Sequence, residues 1–161
     1  MIFETKRLRV RKLTILDIND FHKMQSNMNV MCYITGKPAT FKESVDKLNL
    51  WIERYDSKVM EWPFAIELIC DNNFVGICGI IEDNEIGYRF LEEFWGNGFG
   101  TELVEGIIKY SKKLGLKDLI AEVIIENIRS FKILKNAGFI VENEQICKHT
   151  KLPEYIMKLK L

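Results

Sequence analysis

The segment from Ile86 to Leu103, Ile-Gly-Tyr-Arg-Phe-Leu-Glu-Glu-Phe-Trp-Gly-Asn-Gly-Phe-Gly-Thr-Glu-Leu, restricts the fold more than any other part of the chain. Its start is apolar and β-prone, its middle holds Gly96, Gly98 and Gly100, and an amphipathic helix follows at once. A strand therefore runs through a tight turn into a helix. Glycines permit positive φ and let a ligand approach the backbone closely. Free N–H groups at the helix start, reinforced by the helix dipole, then attract an anion such as a pyrophosphate. The turn is not a Walker A loop, because no Gly-Lys-[Ser/Thr] follows. It also misses the dinucleotide fingerprint, since the third glycine of that pattern counted from Gly96 falls on Thr101. Taken alone, a ligand-free glycine turn is an equal alternative.

The surrounding chain supplies the rest of the architecture. Leu8 to Leu13 alternates like a strand, with Leu8, Val10 and Lys12 on one side and Arg9, Arg11 and Leu13 on the other. Thr14 with Asp17, and Thr40 with Glu43, are N-terminal caps for two helices, the first running to about Met28. Phe41, Val45, Leu48, Ile52 and Tyr55 fall on one face of the second. Between them, Asn29 to Ala39 reads as a loop containing Gly36 and Pro38. Pro63 to Cys70, Phe74 to Ile81 and Glu85 to Leu91 are β-rich runs separated by Asn/Asp clusters, which makes an antiparallel meander. A helix from Thr101 to Leu114, a strand from Leu119 to Ile125 and a short helix capped by Asn127 and ending at Gly138 come next. Two strands, about Phe139 to His149 and Glu154 to Leu161, close the chain. The expected order is β-α-α-β-β-β-α-β-α-β-β, a mixed, mostly antiparallel α/β sheet of about seven strands with four helices.

Composition excludes several functions. The 161 residues fit one domain over 1–161, and Lys+Arg at 23 balances Asp+Glu at 23. A sequence pI of about 6.7 argues against a general nucleic-acid binder. No apolar stretch approaches the roughly 20 residues of a membrane span. The charged start MIFETKRLRVRK lacks the apolar region of a signal peptide, so the expected location is cytoplasmic. Cys32, Cys70, Cys78 and Cys147 form no C-x-x-C pair, so a disulfide framework or metal site is not expected.

The second half of the glycine-turn signal lies in Asn127-Ile128-Arg129-Ser130 and Gly138-Phe139. Together with Glu4-Thr5-Lys6-Arg7-Leu8-Arg9-Val10-Arg11, Gly87-Tyr88 and Trp95-Gly96-Asn97-Gly98-Phe99-Gly100-Thr101-Glu102, these resemble the GNAT superfamily of acyl-CoA-dependent N-acyltransferases. Within it they resemble the RimJ/RimL-type branch of ribosomal-protein N-terminal acetyltransferases. The five motifs stand in the right order over nearly the whole chain. The resemblance implies the GNAT fold, with acetyl-CoA as acetyl donor and no metal. Trp95, Gly96, Asn97, Gly98, Phe99, Gly100 and Thr101 would hold the pyrophosphate. Backbone around Phe90 and Leu91 would face pantetheine on a splayed strand, with an amide, assigned to Leu91, opposite the thioester carbonyl. Asn127 would touch the pantetheine arm or hold the strand ends.

The resemblance also frames the chemistry. Many superfamily members carry a proton-donating Tyr four residues before the Gly of the Gly-Phe pair, where this chain has Leu134. Ser130 is the hydroxyl left in that helix, either the donor to the departing thiolate or a first-turn serine satisfying helix N–H groups. Glu67, Glu85 and Glu142 are candidate bases that alternation does not separate. Trp95 replaces the Gln or Arg of most of the superfamily and removes a side-chain donor. The basic cluster Lys6, Arg7, Arg9, Arg11 and Lys12 offers an anion-binding surface, although the family pattern makes Arg7 and Arg9 structural. The acceptor cleft falls to the Asn29–Ala39 loop and the second helix. The implied activity is direct acetyl transfer to an amine in a ternary complex, by a monomer or homodimer. A protein N-terminal α-amine, such as that of a ribosomal protein, is the expected acceptor. A small-molecule amine acetyltransferase and a non-catalytic acyl-CoA-binding module are the alternatives.

Overall fold

A computed structural model describes residues 1–55 and 63–161. Strands β1 (Phe3–Glu4) and β2 (Leu8–Lys12) come first, then helices α1 (Ile18–Gln25), α2 (Met28–Met31) and α3 (Phe41–Arg54). The meander is β3 (Phe64–Leu68), β4 (Phe74–Ile80) and β5 (Ile86–Phe90). It leads to α4 (Phe99–Lys113), β6 (Asp118–Ile124), α5 (Ile128–Asn136), β7 (Ile140–Ile146) and β8 (Pro153–Lys160). One sheet runs β1-β2-β3-β4-β5 and the other β6-β8-β7, with every ladder antiparallel. The mixed α/β architecture expected from the sequence is present.

Two elements differ from expectation, each for a local reason. The helix opening at Thr14 does not run unbroken to Met28, because the Asn27 side chain accepts the N–H groups of Asn29 and Val30 and starts α2 afresh. The eighth strand, β1, is two residues long and pairs Phe3 with Val10. Elsewhere the caps act as read: Glu43 Oε2 accepts the Thr40 N–H at 2.7 Å while Thr40 Oγ1 accepts the Glu43 N–H at 3.2 Å.

Helices cover both faces of the meander, which is why β4 is buried along its whole length and reads as a continuous apolar run. On one face Leu103, Val104 and Ile107 of α4 and Leu134 of α5 pack on Val10, Ile66 and Phe90. On the other, Phe21 and Met24 of α1 and Leu48 and Trp51 of α3 pack on Ala65, Ile77 and Leu91. The Phe21 and Trp51 rings meet edge to face at 5.5 Å. Between β3 and β4 the register shifts at Ile66/Glu67, so Val75 is an extra residue. At the adjacent Gly76 a Cβ would stand 2.2 Å from the Arg89 carbonyl oxygen, which restricts that position to glycine.

The three arginines of the basic cluster are spent internally. Arg9 and Arg11 both pair with the buried Glu67, and Arg11 also forks onto Asp17 at 2.8 and 2.9 Å. Arg7 reaches Glu102 of α4 at 2.7 Å. No described helix is long and apolar enough to cross a membrane.

Candidate active site

The site is set by a failure of pairing. Strands β5 and β6 meet only at an isolated parallel bridge between Glu85 and Ile120, and no ladder joins them beyond it. The unpaired edge of β5 therefore opens toward α5 and the glycine turn. In an antiparallel ladder, alternate residues point both backbone groups at the same neighbour. Leu91 donates its N–H to Val75 of the neighbouring strand at 2.9 Å. The Leu91 amide, expected to face the cofactor, is thus committed to the sheet. Parity instead turns the amides of Tyr88 and Phe90 to the open edge. The Phe90 carbonyl accepts the Trp95 indole N–H at 3.1 Å, so of the two Phe90 backbone groups the amide is the one left to a ligand.

The glycine turn has the geometry of an anion cradle. Gly96 and Gly98 adopt φ of +79° and +77°, the left-handed region that side chains resist. The first intrahelical bond of α4 runs from the Glu102 N–H to the Gly98 carbonyl at 3.2 Å. Helix geometry leaves the N–H groups of Phe99, Gly100 and Thr101 ahead of it without an intrahelical acceptor. Gly96, Asn97, Gly98 and Thr101 are exposed, and no heavy atom stands within 4 Å of where a Gly96 Cβ would be. Gly100 instead serves packing: a Cβ there would meet Ile133 at 2.8 Å. The Asn97 side chain closes the turn by donating to the Phe94 and Trp95 carbonyls. Arg7 holds it from outside, donating to the Asn97 carbonyl at 3.0 Å and lying 4.5 Å over the Phe99 ring. This anchoring role of Arg7 is not visible in the sequence, because the contact joins positions far apart in the chain.

Gly98 and Gly115 allow a clean test of the cradle. Both are left-handed; a Cβ at Gly98 would make an ordinary 3.6 Å contact with Arg7 Nη2, and one at Gly115, at the far end of α4, would meet nothing within 4 Å. Gly98→Ala and Gly115→Ala should each lower the melting temperature through the same strain, roughly 1–2 kcal/mol. Only Gly98→Ala should weaken acetyl-CoA binding in calorimetric titration. Equal affinities for the two variants would remove this turn from the cofactor site.

Ser130 and Tyr88 come together across the opening. Their hydroxyl oxygens are 2.9 Å apart, and burial pushes the Tyr88 phenol up to about 12 against a smaller opposing effect of this bond. Asn127 takes the capping role, its Oδ1 accepting the Ser130 N–H at 3.2 Å. The Ser130 hydroxyl is therefore not spent on the helix. The Arg129 guanidinium lies 5.3 Å over the Trp95 ring and ties α5 to the turn.

The three candidate carboxylates separate by environment. Glu67 is buried in its ion pairs with Arg9 and Arg11, and Glu142 lies exposed at a bulge on β7. Glu85 is half-buried at the bridge, and burial, then the negative charges of Glu122, Glu154 and Asp83, raise it to about 7. By strand alternation Glu85 shares a face with Arg89 and Leu91, opposite Tyr88. On that face Arg89 is packed against α2, with Nη1 donating to the Met31 sulfur at 3.6 Å. A lone arginine in an apolar strand is the signal that the sequence holds for it.

Comparison with known proteins gives a consistent picture. Residues 7–140 match the acetyltransferase (GNAT) domain family. The chain is 29% identical over 142 residues to the uncharacterized N-acetyltransferase p20 of Bacillus licheniformis, covering 84% of this chain and 80% of that protein. It is 28% identical over 145 residues to the uncharacterized N-acetyltransferase YoaA of Bacillus subtilis, covering 86% and 82%. Among solved structures, an acetyltransferase (GNAT family) from Bacillus anthracis superposes with a TM-score of 0.84 at 24% identity, over 98% and 96% of the chains. Spermidine N-acetyltransferase from Vibrio cholerae, solved with CoA and spermine, superposes with a TM-score of 0.80 at 22% identity, over 95% of each chain.

Proposed function

The chain belongs to the GNAT family of acetyltransferases, and on that footing we propose that this acetyl-CoA-dependent enzyme acetylates an α-amine, a peptide N-terminus as in the RimJ/RimL-type branch. The residues fit the donor. The exposed left-handed glycines and the free amides at the start of α4 suit a pyrophosphate. The outward amides of Tyr88 and Phe90 suit pantetheine and the thioester carbonyl, one of them replacing Leu91 as the oxyanion donor. Bound acetyl-CoA supplies the acetyl group in activated form, and the amine attacks it directly. Ser130 Oγ, backed by the Tyr88 hydroxyl, holds the proton for the departing thiol.

One feature carries the choice of amine: Glu85, at the bridge where β5 and β6 part and on the face of β5 opposite Tyr88, is raised to about 7 by burial and then by Glu122, Glu154 and Asp83. A base works best when its pKa lies near the operating pH and close to that of the proton it takes. An α-ammonium at about 7.7–8.0 is nearly matched to it, whereas a lysine-type ammonium at about 10.4 is not. A second reading, a polyamine acceptor, has the cluster of Glu85, Glu122 and Glu154 in its favour, since three carboxylates on one side attract a polycation. Against it, Gln145 already donates to both Glu122 and Glu154.

The test is release of free CoA from acetyl-CoA across an amine panel of α-amino peptides, including ribosomal-protein N-terminal sequences, N-blocked lysine peptides and spermidine. Turnover led by the α-amino peptides is expected. CoA release that no amine accelerates would leave only an acyl-CoA-binding module.

A further inference from the structure

A cavity of about 250 Å³ opens between α1, the loop after α2 and α3, in the segment that the family resemblance gives to the acceptor. Its wall includes Gln25, Met31, Lys37, Glu43 and Lys47. Gln25 is 0% exposed, yet among the described residues neither its amide oxygen nor its nitrogen has a partner, and Arg89 Nε, behind Met31, has none either. Buried polar groups in native proteins are almost always satisfied, so orphans gathered around a cavity point to a missing ligand. The charges say which kind. Lys37 and Lys47 line the cavity and Arg89 backs it, while the carboxylate among its described lining, Glu43, gives one oxygen to the Thr40 N–H and hydroxyl and offsets part of the lysines' charge. Burial, followed by the charge of Arg89 and against the opposing charge of Glu43, lowers the Lys47 ammonium, and burial alone lowers Arg89 to about 10. A buried guanidinium beside a half-buried ammonium, with one nearby carboxylate, leaves an excess of positive charge that an anion would balance.

We propose that this cavity binds a carboxylate of the acceptor, held by the Lys47 ammonium, the Arg89 guanidinium and the Gln25 amide. The inference rests on the α-amine reading and narrows it to α-amines that carry a carboxylate. Arg89 stands between Tyr88 and Phe90, whose amides face the thioester site, so an anion gripped there sets its own amine beside the reacting carbon. Met31 is the adaptable wall between Arg89 and the cavity. Its displacement exchanges a weak N–H···S contact of 3.6 Å for a forked, charge-assisted pair. A polyamine meets the opposite condition, a cationic ligand against three cations. The carboxylate has two sources, the α-carboxylate of a free amino acid or an acidic side chain near a peptide N-terminus.

Four kinds of acceptor separate the outcomes: free amino acids, their carboxamides, tripeptide amides with Glu or Gln in the first three positions, and 6-aminohexanoate beside hexylamine. At saturating acetyl-CoA, kcat/KM for the carboxylate member of a pair should exceed that of its neutral partner by about 10- to 100-fold, the range of one charged hydrogen-bonded contact. A preference confined to free amino acids, or to the Glu peptides, identifies the source. Lys47→Met should cut the preference to under about threefold and Lys47→Arg should keep it, with acetyl-CoA affinity and melting temperature measured alongside. Equal rates within every pair, or no turnover of any carboxylate member, overturns the carboxylate site and leaves the α-amine reading standing. Turnover of 6-aminohexanoate far above that of amino acids and peptides would do the reverse, retaining the carboxylate and overturning the α-amine.

Discussion

Ser130→Ala is expected to lower kcat by roughly 10²–10⁴ while leaving KM for acetyl-CoA nearly unchanged, the signature of an interaction made at the transition state. The structure makes this substitution unusually clean. Asn127, not Ser130, caps α5, so removal of the hydroxyl costs the helix no satisfied N–H. Among the described residues, the Ser130 hydroxyl is partnered by the Tyr88 hydroxyl at 2.9 Å. Tyr88, pushed up to about 12, remains protonated throughout the working range and can pass a proton to Ser130 Oγ as the thiol leaves. Tyr88→Phe should therefore slow turnover less than Ser130→Ala, because a water can take the place of the phenol. Single-turnover rates and a melting curve for both variants give the answer. Near-normal turnover in Ser130→Ala would reduce the pair to a packing contact.

What could be read in the sequence was what local chemistry determines. The glycine turn, the caps at Thr40 and Asn127 and the meander were visible because φ preference, side-chain capping and alternation act within a few residues. The break between α1 and α2 was equally local, in Asn27, but a continuing apolar pattern hid it. The fate of Leu91 was of another kind. Whether an amide points to one neighbour or the other depends on ladder register, and a one-residue change of register reverses it. No motif carries that information. Glu85 and Arg89 were hidden for a third reason: their chemistry comes from burial and from charges on α3, β6 and β8, which only tertiary packing brings near. The arginines at positions 7, 9 and 11 show the same effect in reverse. A surface that reads as basic in one dimension is neutralised by Glu102, Glu67 and Asp17 in three.

The second large effect concerns which amine is taken at neutral pH. Only the neutral amine attacks, and at pH 7 a lysine-type amine at about 10.4 must give up about 4.6 kcal/mol to reach that form, against about 1–1.4 kcal/mol for an α-amine at about 7.7–8.0. The gap of 2.4–2.7 pKa units is about 250- to 500-fold in kcat/KM if binding is equal. Glu85 does not close it, since a base near 7 stands almost level with the α-ammonium and far below the lysine one. For an α-amino peptide, kcat/KM should climb from pH 6 and level off above about 8. For its N-blocked, lysine-containing counterpart it should go on rising about tenfold per unit to pH 9.5. Glu85→Gln should remove the inflection near 7 and leave only that of the amine. The same variant carries an independent readout of its environment. A carboxyl raised in the folded state binds its proton more tightly there than when unfolded, so wild-type stability falls as pH rises toward 7 and Glu85 ionises. Glu85→Gln, which mimics the protonated form, should match wild type below about pH 4.5, where the carboxyl is protonated folded and unfolded alike, and melt higher above pH 7. A blocked lysine peptide or spermidine preferred at pH 7 would overturn the α-amine reading. An unchanged inflection in Glu85→Gln, with the stability difference present, would keep that reading and remove Glu85 from the proton's path.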